Sequence, residues 1–170
     1  VLDYAVIGSD DEIPLYVNEC DFVVSLGYIK NPLLRNKLHE RIEAADGNLA
    51  TVIASTAHVS KYATLGTGTV VLHGAMVNAG ATIGKGCIIN TLANIEHDVI
   101  IGDYCHISTG AMVNGDCRVG KNTFLGSQSV MVNDTSIPSN SVFAAGCLVR
   151  KSLTIEGLYA GNPAVLIKKA

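Results

Sequence analysis

The sequence predicts a mainly β protein, a parallel β-helix of six-residue repeats preceded by a small α/β fragment. Two observations carry this. Every sixth residue from Ile53 to Ile155 is apolar, eighteen in succession without a frame shift. Two residues before most of these stands a small side chain, as at Ala57, Ala63, Thr69, Ala75, Cys87 and Ala93. Residues two apart on a strand face the same side, so the small and the large residue of each repeat both point inward. Three such sides close a triangular coil of eighteen residues, and the tract holds about six coils. Composition agrees. Hydrophobic residues make up 48% of the chain, but aromatics only 5%, and tryptophan is absent, so the core is built from medium aliphatic side chains. The position after the large residue is often Gly or Asn, as at Gly66, Asn78, Gly84, Asn90 and Gly102, which are expected to take the left-handed backbone of the corners.

The first fifty residues follow another pattern. Tyr4–Ile7 and Asp21–Leu26 read as short apolar strands. Asn31 and Pro32 form a helix start, an N-cap followed by proline at the first helical position. Leu33, Leu34, Leu38 and Ile42 then make one apolar face, and Gly47 is the expected stop. Residues 1–50 are read as a truncated α/β, Rossmann-like, substrate-binding part. Residues 51–156 form the β-helix domain and 157–170 a C-terminal tail. The chain opens on Val1 without an initiator methionine, so a start farther upstream is expected.

Charge excludes some partners. A net charge of −3 and a pI near 5.9 offer nothing to nucleic acid or an anionic membrane surface. No apolar run has the length of a transmembrane span, and Val1–Asp10 lacks the features of a secretory signal. Five cysteines without paired spacing suggest a reducing compartment, with cytoplasm as the default. Cys87, Cys105, Cys117 and Cys147 fall in the small inward slot and read as core. His58 and His73 read as repeat surface, and no metal site is expected.

Among residues able to carry chemistry, His97 lies at a corner, two positions past inward Ile95, where its ring reaches solvent and its ordinary pKa suits a general base. Asp98 is placed to orient it, with Glu96 as the alternative carboxylate. Gly115 is one full coil along and stacks beside His97, leaving room for a thioester and offering an N–H to a developing oxyanion. His106 precedes inward Ile107 and points outward. It is half a coil from His97, so the two meet only if subunits pack side by side. Ser9, Asp10 and Gly27 lie at strand ends of the α/β part, where ligands often bind. Arg150, Lys151, Lys168 and Lys169 are candidate partners for phosphates. Outward Val70, Ile88 and Ile100 need cover, which predicts a homotrimer.

The stretch from Asn90 to Ile107, with Glu96-His97-Asp98 and Gly102 through His106, is similar to the signature of sialic acid O-acetyltransferases and nucleotide-aminosugar N-acetyltransferases. Ala144-Ala145-Gly146, Gly161-Asn162-Pro163-Ala164, Ile7–Asp11 and Val24–Gly27 resemble the same family. The resemblance implies a left-handed β-helix and an acetyl-CoA-dependent acetyltransferase acting on the amine or hydroxyl of a sugar, a nucleotide-aminosugar or sialic acid, by direct attack. It implies a catalytic role for His97, donor contacts for His106, Ala144 and Gly146, and a substrate contact for Asn90. The Gly-rich turn with which family members hold the sugar's nucleotide is missing here, which leaves the acceptor less determined than the donor. The competing readings are acetylation of another small acceptor, such as an amino acid, and a non-catalytic β-helix scaffold.

Overall fold

The structure is a computed structural model describing residues 3–170; the chain start at Val1 lies outside them. From Val52–Ile53 to Leu148–Val149 a two-residue strand recurs every six residues. Each strand pairs in parallel with the one eighteen residues on, as in Val52↔Val70, Asn94↔Met112 and Arg118↔Ser136, so the coils stack into three flat sheets. The large position of each repeat fills the interior. Val71, Ile89, Ile95, Ile107, Leu125 and Phe143 are all fully buried, with Ala75, Cys87, Ala93 and Cys105 beside them. Short β-branched and aliphatic residues suit this because each coil buries its interior only against the coils above and below.

The hexad frame runs on to Ile155, but that residue is 48% exposed and lies outside any strand. In its place Gly157–Ala160 joins the first sheet beside Val142–Phe143, and Val165–Lys169 folds back antiparallel on it. Tyr159 stacks on Phe143 at 4.8 Å between ring centroids, closing the last coil with an aromatic lid.

The corners correct one expectation. The left-handed residues are not those directly after the large position but those three after it, such as Gly80, Asp98, Tyr104, Asp116 and Gly146. The glycines at 66, 102 and 126 serve close packing instead. A Cβ on Gly102 would stand 2.7 Å from the Lys121 backbone nitrogen of the next coil, and one on Gly126 2.6 Å from that of Ala145. Gly102→Ala is therefore expected to destabilise the protein by about 1–3 kcal/mol, measured as a shift in the urea midpoint without a change in slope.

The N-terminal part departs furthest from expectation. Residues 4–7 and 21–26 form no strands; a single parallel bridge, Phe22↔Leu49, is all the sheet pairing among the described residues there. Without a neighbouring strand to satisfy its backbone, an apolar run does not become a strand. A 3₁₀ turn at Asp10–Glu12 leads into the short helix α1 (Ile13–Tyr16), and α2 spans Leu33–Ala44. Helix α2 begins one residue later than expected: Pro32, not Asn31, holds the N-cap position, and Asn31 just before it accepts from Leu33 N through Oδ1 at 2.9 Å. Asp46, at φ 59°, makes the left-handed turn that ends the helix, and Gly47 N donates to Ile42 O.

The buried face of α2 is Arg35, His39 and Ile42, while Leu33 and Leu34 are exposed. The reason lies in what the helix meets. Arg35, 1% exposed, donates to the carbonyls of Val24 (2.5 Å), Leu26 (2.6 Å) and Gly86 (3.3 Å), which have no strand partners. The His39 ring fits over corner glycines Gly68 and Gly86 and meets Tyr104 edge to face. Burial first, then nearby Arg35, pushes its pKa down to about 4, so it is neutral at physiological pH. This helix and the loop before it cover one corner and part of the first sheet, where Ile88 becomes buried within the chain itself. Ile100 stays exposed.

Candidate active site

His97 and Asp98 form the turn between the strands Asn94–Ile95 and Ile100–Ile101. Asp98 has φ 59°, a backbone that Asp tolerates better than most residues because its short polar side chain bonds locally. Its Oδ2 lies 3.0 Å from His97 Nδ1. Both side chains are open to solvent, at 56% and 60% exposure. The hydrogen bond to Asp98 raises the His97 pKa above the ordinary 6.5; slight burial opposes it, and the charges of Asp98, Asp116 and Glu96 add to it. With Nδ1–H donating to the carboxylate, the neutral ring carries its lone pair on Nε2.

Glycines frame this pair on both sides. A Cβ on Gly115, one coil ahead, would lie 2.6 Å from both Nε2 and Cε1 of His97. A Cβ on Gly80, one coil behind, would run into Asp98 Oδ1. Gly115 follows from the eighteen-residue spacing; Gly80 obeys the same arithmetic from Asp98 and is an addition of the structure. Glu96 turns away from the ring. Its two oxygens accept from Asn94 Nδ2 at 2.9 Å and Asn78 Nδ2 at 3.2 Å, so Asp98 is the carboxylate that touches His97.

The other sequence candidates separate into different places. His106 points out of the coil as expected, but the loop before α2 lies on it and leaves it 8% exposed. It sits on the first sheet, on the other side of the coil from the His97 corner. Asn90 contacts His106, not His97. Burial pulls the His106 pKa down; the bond to Tyr28 O opposes this, and Arg35 adds a smaller depression. Ala144 and Gly146 lie at the corner after Val142–Phe143, and a Cβ at Gly146 would meet nothing within 4 Å. Ala144 also lines a largely apolar groove of about 370 Å³ with Ile29, Lys30, Phe124 and Ser127.

Ser9 is the N-cap of the Asp10–Glu12 turn, its hydroxyl accepting from Asp11 N and its own N–H bonding the Glu12 carboxylate. Asp10 lines a cavity of about 220 Å³ with Val24, Ser25, Leu26 and Leu38. Gly27 sits against His106, where a Cβ would be 3.8 Å from Cε1. Lys168 and Lys169 border a cavity of about 340 Å³ that also includes Lys30. Among the described residues no group of three His, Cys, Asp or Glu side chains could hold a metal ion, and no helix is long and apolar enough to cross a membrane.

No curated protein matches the chain by sequence. Residues 80–115 match the bacterial transferase hexapeptide (six repeats) family. Among solved structures, the chain is similar to the acetyltransferase domain of PglB from Neisseria gonorrhoeae FA1090 in complex with acetyl coenzyme A. The identity is 30% and the TM-score 0.88, over 98% of this chain and 80% of that one. It is similar also to a variant of perosamine N-acetyltransferase from Caulobacter crescentus in complex with CoA and GDP-perosamine, at 29% identity and TM-score 0.93, over 99% and 80% of the two chains. WeeI from Acinetobacter baumannii AYE, at 24% identity and TM-score 0.77 over 82% of this chain and 68% of that one, shares the fold. A common coil, a common sequence tract and 30% identity over nearly the whole length place the protein in the family of hexapeptide-repeat sugar acetyltransferases.

Proposed function

We propose that this protein moves an acetyl group from acetyl-CoA to the amine of a sugar carried by a nucleoside diphosphate, with His97 as the general base. The observation that carries the reading is the exposed His97–Asp98 pair, its Nε2 side open against Gly115. The likeness to a complex with CoA and GDP-perosamine supports the choice of donor and acceptor. His97 Nε2 takes a proton from the amine as its nitrogen attacks the thioester carbon. Asp98 keeps Nδ1 protonated and steadies the imidazolium that forms. The Gly115 N–H supports the developing oxyanion. As the carbon–sulfur bond breaks, the thiolate leaves and takes a proton back.

Ala144 and the open corner at Gly146 are the proposed donor contacts, beside a largely apolar groove assigned to the pantetheine arm. Asn90, whose amide also bonds His106, is the proposed acceptor contact. The cavity beside Asp10 supports residues 1–50 as the part that receives the acceptor, with Ser9, in a neighbouring hollow with Ile7 and Gly8, and Gly27 as further proposed contacts. The site is shared in a homotrimer, with His97 of one subunit facing the first sheet of the next; light scattering measures the mass. Five free thiols, four of them buried, fit a reducing cytoplasm.

The direct test is thiol release from acetyl-CoA against nucleotide-linked aminosugars and free sialic acid in parallel. Turnover with the aminosugar is expected; turnover only with sialic acid would replace N- by O-acetylation.

A pH profile tests the pair itself. The base works as the neutral ring, so kcat/KM falls as pH drops through the His97 pKa, and that acid limb should lie above 6.5 because the Asp98 bond raises it. Asp98→Asn should move the limb to lower pH. It should also lower the plateau by less than the roughly 10²–10⁴ expected for losing the base. A limb that stays in place would assign it to another group.

A further inference from the structure

His106 makes every polar contact it can inside its own chain. Nδ1 donates to Tyr28 O at 2.8 Å, and Nε2 lies 3.1 Å from Asn90 Nδ2. The amide orientation is fixed independently, because Asn90 Oδ1 already accepts from Thr91 N at 2.7 Å. Asn90 therefore presents N–H to the ring, and Nε2 must accept. One tautomer satisfies both bonds, and two aromatic rings also pack against the imidazole in T-shaped contacts, Phe124 at 5.1 Å and Tyr28 at 5.8 Å between centroids. From the other side, the Tyr28 hydroxyl donates to Tyr104 O at 2.6 Å.

These contacts end in a strap. Beyond Tyr28, Ile29 and Lys30 are exposed and line the 370 Å³ groove together with Phe124 and Ala144. Lys30 also borders the neighbouring cavity that holds Lys168 and Lys169. Among the described residues no hydrogen bond ties Ile29 itself to the β-helix, and its side chain is largely exposed.

We propose that His106 is a positioning residue: it latches the strap Gly27–Lys30 onto the first sheet, so that Ile29 and Lys30 wall the donor groove. The proposal rests on the reading that the groove beside Ala144 takes acetyl-CoA. A donor contact through Nε2 would require that nitrogen to leave Asn90; the latch requires only that the ring stay where it is.

The test is calorimetric affinity for acetyl-CoA, with amide hydrogen exchange at residues 27–30, in the full chain. His106→Phe keeps a ring but loses both bonds, and should weaken acetyl-CoA roughly tenfold while speeding exchange in the strap. His106→Asn places an amide N–H where ring Nδ1 stood and has no atom at Nε2. It should recover affinity to within about threefold of wild type, with slow strap exchange. If His106→Asn binds as poorly as His106→Phe while its strap remains protected, Nε2 itself contacts the donor and the latch is overturned. Unchanged affinity in His106→Phe overturns it as well. Should that variant not fold, Tyr28→Phe loosens the same strap from its other anchor and is expected to weaken binding several-fold; no change there overturns the latch. Absence of acetyl-CoA binding by the wild type is a separate result, which overturns the donor reading beneath it.

Discussion

His97→Ala is expected to lower kcat by roughly 10²–10⁴ while acetyl-CoA affinity and the fold stay nearly intact. The ring is more than half exposed at a corner, so its removal opens no cavity and leaves no buried group without a partner. The coil around it is held by neighbours that do not involve the ring: Ala93 and Ile95 are fully buried, and the Glu96 carboxylate is bonded by Asn78 and Asn94. No second histidine stands at that corner; His106 is on another sheet with both nitrogens engaged. Steady-state thiol release with a verified acceptor, and calorimetry with acetyl-CoA, separate the two quantities. Near-normal turnover in His97→Ala would place the base elsewhere.

Gly115→Ala is expected to lower kcat by about 10²-fold with little loss of stability. Its backbone is not among the left-handed residues, so alanine introduces no strain of that kind. The new methyl would instead stand 2.6 Å from Nε2 and Cε1 of His97, far inside van der Waals contact. The exposed ring can swing away, which preserves the fold but breaks the Asp98 bond or shifts Nε2 by about an ångström, enough to spoil proton transfer. Kinetics and thermal melting on the same sample decide it: a lowered Tm with normal kcat would make Gly115 a packing residue only.

These two expectations use different kinds of information. That His97 and Gly115 are neighbours follows from counting, because an eighteen-residue coil in parallel register converts sequence separation into spatial contact. The same counting placed Ile95, Ile107 and Cys105 inside and His97 at a corner. The glycine slot differs from expectation for a related reason. Glycine is required both for left-handed backbone and for close approach of another chain, and a repeat pattern does not distinguish the two. In Gly102 and Gly126 the second need operates, while Asp98, Tyr104 and Asp116 take the left-handed backbone.

What the sequence determined by itself was the coil, its interior, its period, and the stacking of His97 on Gly115. Each of those depends on residues that recur every six or eighteen positions, so the information is written many times over. The tertiary structure alone decided what happens where the repeat meets a segment that does not share it. Leu33 and Leu34 formed a plausible apolar face, yet Arg35 and His39 turn inward, because three unpaired carbonyls need donors and two corner glycines leave space for a ring. His106 reads as an outward residue and is one, but the loop carrying Tyr28 closes over it through contacts seventy-eight residues apart in sequence. Docking of this kind depends on one-off, long-range hydrogen bonds between groups with no periodic relation, and no local pattern announces them.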